Sequence, residues 1–146
     1  MNKSSILEIV KTKIIEKIQN FEALIADTRA SNNDTKSSMG DKYETGREML
    51  QQEINNLQRQ LNEALSQQAI IQKITAESSS RVQNGALVKT DKGLFYIAVS
   101  VGEFIFDNQK IMTISAKSPL VKAMAGLMKG QSFSINNINQ KIKEIW

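Results

Sequence analysis

The stretch LQQEINNLQRQLNEALSQQAII, residues 50–71, contains the strongest structural pattern in the chain. Its apolar residues recur mainly at spacings of four and three. This spacing places one narrow apolar stripe along a helix, which is what a coiled-coil partner buries. The same pattern occurs near the start of the chain. The sequence therefore predicts two amphipathic helices with apolar stripes at Leu7, Ile14, Ile18, Phe21 and Ile25, and at Leu50, Ile54, Leu57, Leu61, Ala64 and Ile71.

Between these stripes lies the segment SNNDTKSSMGD, residues 31–41, which consists mainly of turn-forming residues. Such side chains hydrogen-bond to their own backbone and favour loops. Two helices of similar length with a polar connection predict an antiparallel hairpin. With ~28 residues in each helix, the hairpin would be on the order of 40 Å long. A parallel dimer of one long helix is the alternative, but Gly40 and the serine-rich break disfavour it.

The composition changes near residue 80. Five of the seven glycines, the single proline and six of the eight aromatic residues lie beyond it. Short β-branched and aromatic runs separated by turn residues predict strands, while Ser118-Pro119 predicts a helix start and Gly130 a helix end. The predicted strands are 86–90, 94–101, 104–106, 110–115, 133–135 and 138–145, with a helix over 119–129. Turns are predicted at Asp107-Asn108-Gln109 and at Asn136-Asn137.

The predicted fold class is α+β. Residues 1–80 form an antiparallel coiled-coil hairpin with an acidic tip near 34–48, and residues 81–146 form a small antiparallel sheet domain with one helix on one face.

Several kinds of chemistry are excluded by composition. The chain has no cysteine and no histidine, which excludes disulfides, thiolate metal sites and the usual general base. No apolar run approaches the roughly 18 residues of a membrane-spanning helix. We expect a cytoplasmic protein without a membrane partner, whose chemistry is limited to carboxylates, lysines, hydroxyls and the backbone.

Charge is divided between the two halves. Through residue 80 there are ten basic and eleven acidic side chains, and beyond it nine basic and four acidic ones. A basic globular half is compatible with nucleic acid or an acidic protein surface as a partner. Because few of these lysines cluster in sequence, solvated surface lysines are the competing explanation.

Asp41 and Glu44 are the candidate functional residues of the tip. Their spacing of three places both on one face at the start of the second helix. Acidic residues in a first helical turn also stabilise the helix dipole, which is an explanation without function. Mg²⁺ usually binds through one or two carboxylates plus waters and substrate phosphates. Two carboxylates would therefore complete a metal site that belongs to another molecule.

Gly40-Asp41 followed by Glu44 resembles the hairpin tip of the Gre family of bacterial transcript-cleavage factors. The second half also resembles this family: the run ISAKSP at 114–119, followed by Gly126-Leu127 and Gly130, is similar to its S-x-x-S-P…G-L-x-x-G signature. The order of the two parts agrees as well, so the resemblance covers essentially the whole chain.

The resemblance implies a specific function. Members of the family bind RNA polymerase beside its secondary channel through a C-terminal domain with an FKBP-like fold. Their hairpin enters the channel, and its acidic tip helps the polymerase hold a second Mg²⁺ ion for hydrolysis of backtracked RNA. On this chain Asp41 and Glu44 would be the catalytic and metal-assisting carboxylates, and Ser118 and Pro119 would contact polymerase. The chain would be an accessory factor and not an enzyme, a monomer whose partners are RNA polymerase and the 3′ end of nascent RNA.

The tip departs from the family pattern in two ways. Lys42 replaces the usual apolar residue after the aspartate, and Glu44 continues into Thr45-Gly46. Because of these changes, a channel-binding regulator of RNA polymerase without cleavage activity is an alternative. Two further alternatives do not depend on the tip: a prolyl isomerase with an aromatic-lined pocket, and a coiled-coil adaptor or dimer unrelated to transcription. Ser118-Pro119 also has a purely structural explanation as a helix cap.

Overall fold

The computed structural model describes the backbone of residues 1–37 and 44–146, and the side chains of residues 1–32 and 45–146. Two long helices come first, followed by six strands and a short helix. In chain order the elements are α1 (Lys3–Ser37), α2 (Glu44–Gln72), β1 (Leu87–Thr90), β2 (Gly93–Ala98), β3 (Glu103–Phe106), β4 (Gln109–Ser115), α3 (Pro119–Met124), β5 (Ser132–Ile135) and β6 (Ile138–Ile145). The predicted fold class is confirmed.

The apolar stripes of both long helices are buried as the heptad pattern predicts. Lys17 Nζ donates a hydrogen bond to Gln67 Oε1 at 3.4 Å, which brings the middle of α1 beside the last third of α2. The start of α1 and the end of α2 also belong to one compact unit, so the two helices are antiparallel. The buried members of the stripes include Ile14, Ile18, Ile25, Ile54, Leu57, Leu61 and Ala64.

The predicted loop over residues 31–41 is wrong for its first part, because α1 continues to Ser37. Asn32 lies seven residues after Ile25 and is only 8% exposed, so the buried stripe extends past the last apolar residue. Once a helix has started, each further turn is cheap to add. Tertiary burial therefore outweighs the preference of Ser31 and Asn32 for turns.

The six strands form one sheet in the order β3-β4-β2-β1-β6-β5. All neighbouring strands are antiparallel except β2 and β4, which pair in parallel from Leu94↔Ile111 to Ala98↔Ser115. The expectation of a wholly antiparallel sheet is therefore wrong at this pair. In a simple meander β3 would lie beside β2, whereas here β4, the second strand of the β3–β4 hairpin, takes that position and runs in the direction of β2.

Two of the predicted turns are two-residue hairpin loops. Asp107 and Asn108 join β3 to β4 with φ of 50° and 60°, and Asn136 and Asn137 join β5 to β6 with φ of 53° and 64°. Positive φ at both central residues defines the type I′ turn, which matches the twist of the flanking strands. Asn and Asp tolerate this conformation better than other non-glycine residues.

One face of the sheet packs against α3 and forms the core of the second half. Val88, Ile97 and Ile142 from the sheet meet Val121 and Met124 from α3 in this cluster. The predicted helix over 119–129 is too long: Ala125 has ψ of 133° and Gly126 has φ of +78°, so the helix ends at Met124. The remaining residues to Gly130 form a loop.

The chain forms two compact units, Met1–Thr12 with Ala69–Trp146, and Lys13–Gln68. Both long helices end before residue 81 and every strand begins after it. None of the helices in the described ranges is long and apolar enough to cross a membrane.

Candidate functional site

The structure describes only part of the predicted acidic pair. Glu44 is the first residue of α2, but its side chain lies outside the described residues, and so does the whole of Asp41. Their assignment to catalysis and metal binding stays a prediction. In residues 1–32 and 45–146 there is no group of three or more acidic side chains that could hold a metal ion.

The first turn of α2 contains a glycine. Gly46 occupies the third helical position, and no atom lies within 4 Å of where a Cβ would be. Glycine within a helix costs roughly 0.5–1 kcal/mol relative to alanine because of its backbone entropy. Arg47 is half-buried, whereas Glu48 and Met49 are exposed. Gly46 therefore lowers the helix propensity of the first turn of α2, close to Glu44.

Ser118 and Pro119 form the start of α3. Ser118 has extended backbone angles, and its Oγ accepts a hydrogen bond from the Val121 amide at 3.2 Å. This is an N-cap followed by proline at the first helical position, where its missing N–H is not needed. The preceding turn is fixed by a bond from the Lys117 amide to Ser115 Oγ at 3.1 Å. The loop thus holds Pro119 exposed and Ser118 half-buried on a fixed backbone.

The glycines of the same signature fix the loop after α3. Gly126 has φ of +78° and donates its N–H to the Val82 carbonyl at 2.9 Å, and Val82 returns a bond to the Leu127 carbonyl at 2.9 Å. Arg81 also donates from its guanidinium to the Gly126 carbonyl at 3.1 Å. Gly130, with φ of +91°, donates to the Ile142 carbonyl. The whole signature therefore has a structural role in shaping one surface of the domain.

A buried lysine in the same unit was not identified from the sequence. Lys3 is only 5% exposed, and its Nζ donates to the carbonyls of Glu77 at 2.6 Å and Trp146 at 3.0 Å. Burial lowers the pKa of the Lys3 ammonium below its ordinary value. A cation at the first position of a helix opposes the helix dipole. This unfavourable placement is the sequence signal that could have identified Lys3 as unusual.

A cavity beside the end of α2 also went unpredicted. It has a volume of about 360 Å³ and is lined by the end of α2, the following residues 74–79 and the turn at 83–85. Its lining contains no aromatic residue. Phe95, Tyr96 and Phe133 are instead buried in the domain. This cavity therefore lacks the aromatic lining expected for a prolyl isomerase site.

A scan against protein-family models found no match, and a search of curated proteins found none. Among solved structures, the chain is similar to the transcription factor Gfh1, with 14% identity, a TM-score of 0.39, and coverage of 91% of this chain and 89% of that one. It is likewise similar to the GreA factor homolog 1 (Gfh1) protein of Thermus thermophilus, with 14% identity, a TM-score of 0.39, and coverage of 93% and 94%.

Proposed function

We propose that this chain is an accessory transcription factor that binds RNA polymerase at its secondary channel and stimulates the Mg²⁺-dependent cleavage of backtracked RNA by the polymerase. The observation that supports the proposal is the antiparallel helical hairpin, because the acidic pair falls in sequence between its helices and at the start of the second one. α1 ends at Ser37 and α2 begins at Glu44, so Asp41 and Glu44 occupy the connection and the first residue of the returning helix. A hairpin presents its connection to a partner without unfolding either helix.

The proposed chemistry divides the catalytic groups between two molecules. Asp41 and Glu44 are oxygen donors, the kind that Mg²⁺ prefers, but two carboxylates do not complete its coordination shell. The remaining ligands would come from the polymerase and from the RNA phosphate. Mg²⁺ bound there would lower the pKa of a water molecule and offset charge on the phosphate. This chain's own residues would contribute negative charge and orientation, and the chain would not be an enzyme by itself.

The second part of the proposal concerns the contact with polymerase. Ser118 and Pro119 lie at the start of α3, and the cap bond to Val121 holds them in one conformation. A surface that is fixed before binding loses little conformational entropy on association. We assign this loop to polymerase binding and the acidic pair to RNA cleavage, two roles that can be separated by mutation.

The direct experiment adds the purified protein and Mg²⁺ to a backtracked elongation complex and measures shortening of the RNA. The wild-type protein is expected to shorten the transcript, whereas Asp41→Asn and Glu44→Gln should each reduce the rate at least tenfold while still binding polymerase. Glu48→Gln is the matched control, because it removes the same charge from an exposed position one turn further along α2. Equal activity of Asp41→Asn and the wild type would contradict the assignment.

A second candidate function is favoured by Gly46 and Lys42. A weakened first turn could misplace the carboxylates by the ~1 Å that matters for positioning. The chain would then be a channel-binding regulator without cleavage activity. In that case the wild-type protein would bind polymerase and alter its activity, yet leave the backtracked RNA at its original length.

A further inference from the structure

The basic charge of the second half is concentrated on one corner of the sheet. We call this corner the lysine surface. It is formed by β1, β6, β5, the turn after β1 and the loop before β5, and it comprises Lys89, Lys92, Lys129, Lys141 and Lys143 around Asp91 and Glu144. All five lysines are exposed. The sequence does not show this cluster, because its members come from two segments about forty residues apart.

Strand register places the members of the lysine surface together. Lys89 on β1 is the pairing partner of Glu144 on β6, so the two side chains lie on the same face of the sheet. Lys129 forms an ion pair with the same Glu144. Two lysines therefore lie beside one half-buried carboxylate at the β1–β6 pair, which leaves a net positive charge there.

The turn after β1 adds the second centre. Asp91 accepts a hydrogen bond from the Lys141 amide at 2.9 Å and pairs with the Lys143 ammonium at 3.5 Å. The bond from the Lys141 amide has the larger effect and the Lys143 ion pair the smaller one, and together they hold the pKa of Asp91 below its ordinary value. Lys92 is adjacent in the same turn. Five cations around two carboxylates leave a net charge of about +3, since each carboxylate offsets one lysine.

The side chains between the lysines are small and polar. Ser132 pairs with Lys141 and Ser134 pairs with Asn139, so these four residues share one exposed face of β5 and β6. The apolar residues of these strands, such as Phe133 and Ile142, lie on the other face and belong to the core. Protein–protein interfaces have an apolar and aromatic centre, and the lysine surface has none. Phosphate backbones are bound by lysine, serine and asparagine side chains.

We propose that the lysine surface binds the phosphate backbone of double-stranded nucleic acid without regard to sequence. A duplex fits better than a single strand because single-strand binding relies on several exposed aromatic side chains for base stacking. The aromatic residue beside the lysines is Trp146, which is half-buried and whose backbone pairs with Leu87 on β1. This inference goes beyond the proposed function and does not depend on it, because it concerns binding of free nucleic acid in the absence of polymerase.

The test is the fluorescence anisotropy of a labelled DNA duplex of random sequence titrated with the full-length protein. Between about 20 and about 200 mM salt, the plot of log Kobs against log salt should have a slope near −3, since each neutralised phosphate contributes about −0.9. Replacing two lysines in Lys89→Gln/Lys141→Gln should make the slope shallower by about 2 for the same reason. At the lowest salt this variant should bind at least tenfold more weakly than the wild type.

The matched control is Lys117→Gln/Lys122→Gln, which removes the same charge from exposed positions at α3, on the opposite face of the sheet. This control should retain the wild-type slope, and the fluorescence of Trp146 reports whether each variant is folded. Four outcomes would overturn the proposal: no duplex binding at low salt, an equal loss in the control pair, equally tight binding of a single strand, or equally tight binding of polyglutamate. The last result would identify an acidic protein as the partner.

Discussion

Tyr96 offers a stringent test of the packing of the sheet domain. It lies at the centre of β2, paired with Leu87 on β1 and Thr113 on β4, and it is fully buried. Its hydroxyl has no hydrogen-bond partner among the described residues. The substitution Tyr96→Phe removes this hydroxyl and leaves the ring in place, so it isolates the free-energy cost of burying one unpaired polar group.

The expected effect on stability has an unusual sign. An unpaired buried hydroxyl costs roughly 1–3 kcal/mol in protein mutational data. Removing the hydroxyl recovers this free energy, but part of the gain is lost because the missing oxygen leaves a small gap in the packing. We therefore expect Tyr96→Phe to raise the free energy of unfolding by about 1 kcal/mol, whereas removal of a hydrogen-bonded tyrosine hydroxyl would lower it by a similar amount.

Alkaline pH provides a second measurement on the same group. Burial raises the pKa of Tyr96 from 10.0 to about 12. Between these values the unfolded chain has lost a proton that the folded chain still binds, so the stability of the wild type falls as pH rises through this window. At about 1.36 kcal/mol per pKa unit, the full loss approaches roughly 2.7 kcal/mol. Tyr96→Phe should not show this loss, and subtracting the two profiles cancels the contribution of every other group.

The assay is urea unfolding followed by the fluorescence of Trp146, which is the only tryptophan and belongs to the same compact unit as Tyr96. A gain of about 1 kcal/mol would move the midpoint by about 0.5 M urea. The control is Tyr43→Phe, because Tyr43 is the only other tyrosine; in that variant all phenolate absorbance belongs to Tyr96 and should develop near pH 12. A destabilised Tyr96→Phe protein, or ionisation near pH 10, would refute the argument.

Three further substitutions test other elements. Gly46→Ala should raise the free energy of unfolding by roughly 0.5–1 kcal/mol, because the helix has room for a Cβ there, and the thermal midpoint measured by helical circular dichroism should rise accordingly. Gly126→Ala is the contrasting control and should destabilise the protein, since the φ of +78° at this position disfavours alanine. The ionised Asp91 carboxylate stabilises the folded state above its ordinary pKa of 3.8, and this contribution is lost as pH falls through the lowered pKa of the folded protein. Asp91→Asn should therefore be less stable than the wild type at neutral pH, and the unfolding midpoints of the two proteins should converge in acid. Lys3→Met should lower the free energy of unfolding at neutral pH by about 1–3 kcal/mol, because the Glu77 carbonyl loses its buried donor; an unchanged urea midpoint would count against that bond.

Only those parts of the candidate site whose local geometry is determined by short motifs could be predicted from the sequence. The Ser118-Pro119 cap was predicted from residue type alone, and the structure confirms it. Gly126 was noted only through the resemblance, and Gly130 was predicted as the end of a helix that in fact ends at Met124. Asp41 and Glu44 were proposed from spacing and resemblance, and their functional assignment stays a prediction. The lysine surface and the Lys3 bonds could not be predicted, because they join residues far apart in the chain through strand register and burial.

The sequence by itself determined the elements whose energetics are local. Heptad spacing defined both long helices, and the pairs Asp107-Asn108 and Asn136-Asn137 defined two hairpins, since a type I′ turn depends on the φ preferences of two residues. Only the tertiary structure decided that α1 continues to Ser37, that β2 and β4 run in parallel and that α3 ends at Met124. Each of these depends on which surfaces are buried against one another, and the free energy of that burial exceeds the fractions of a kcal/mol by which single residues prefer a helix or a turn.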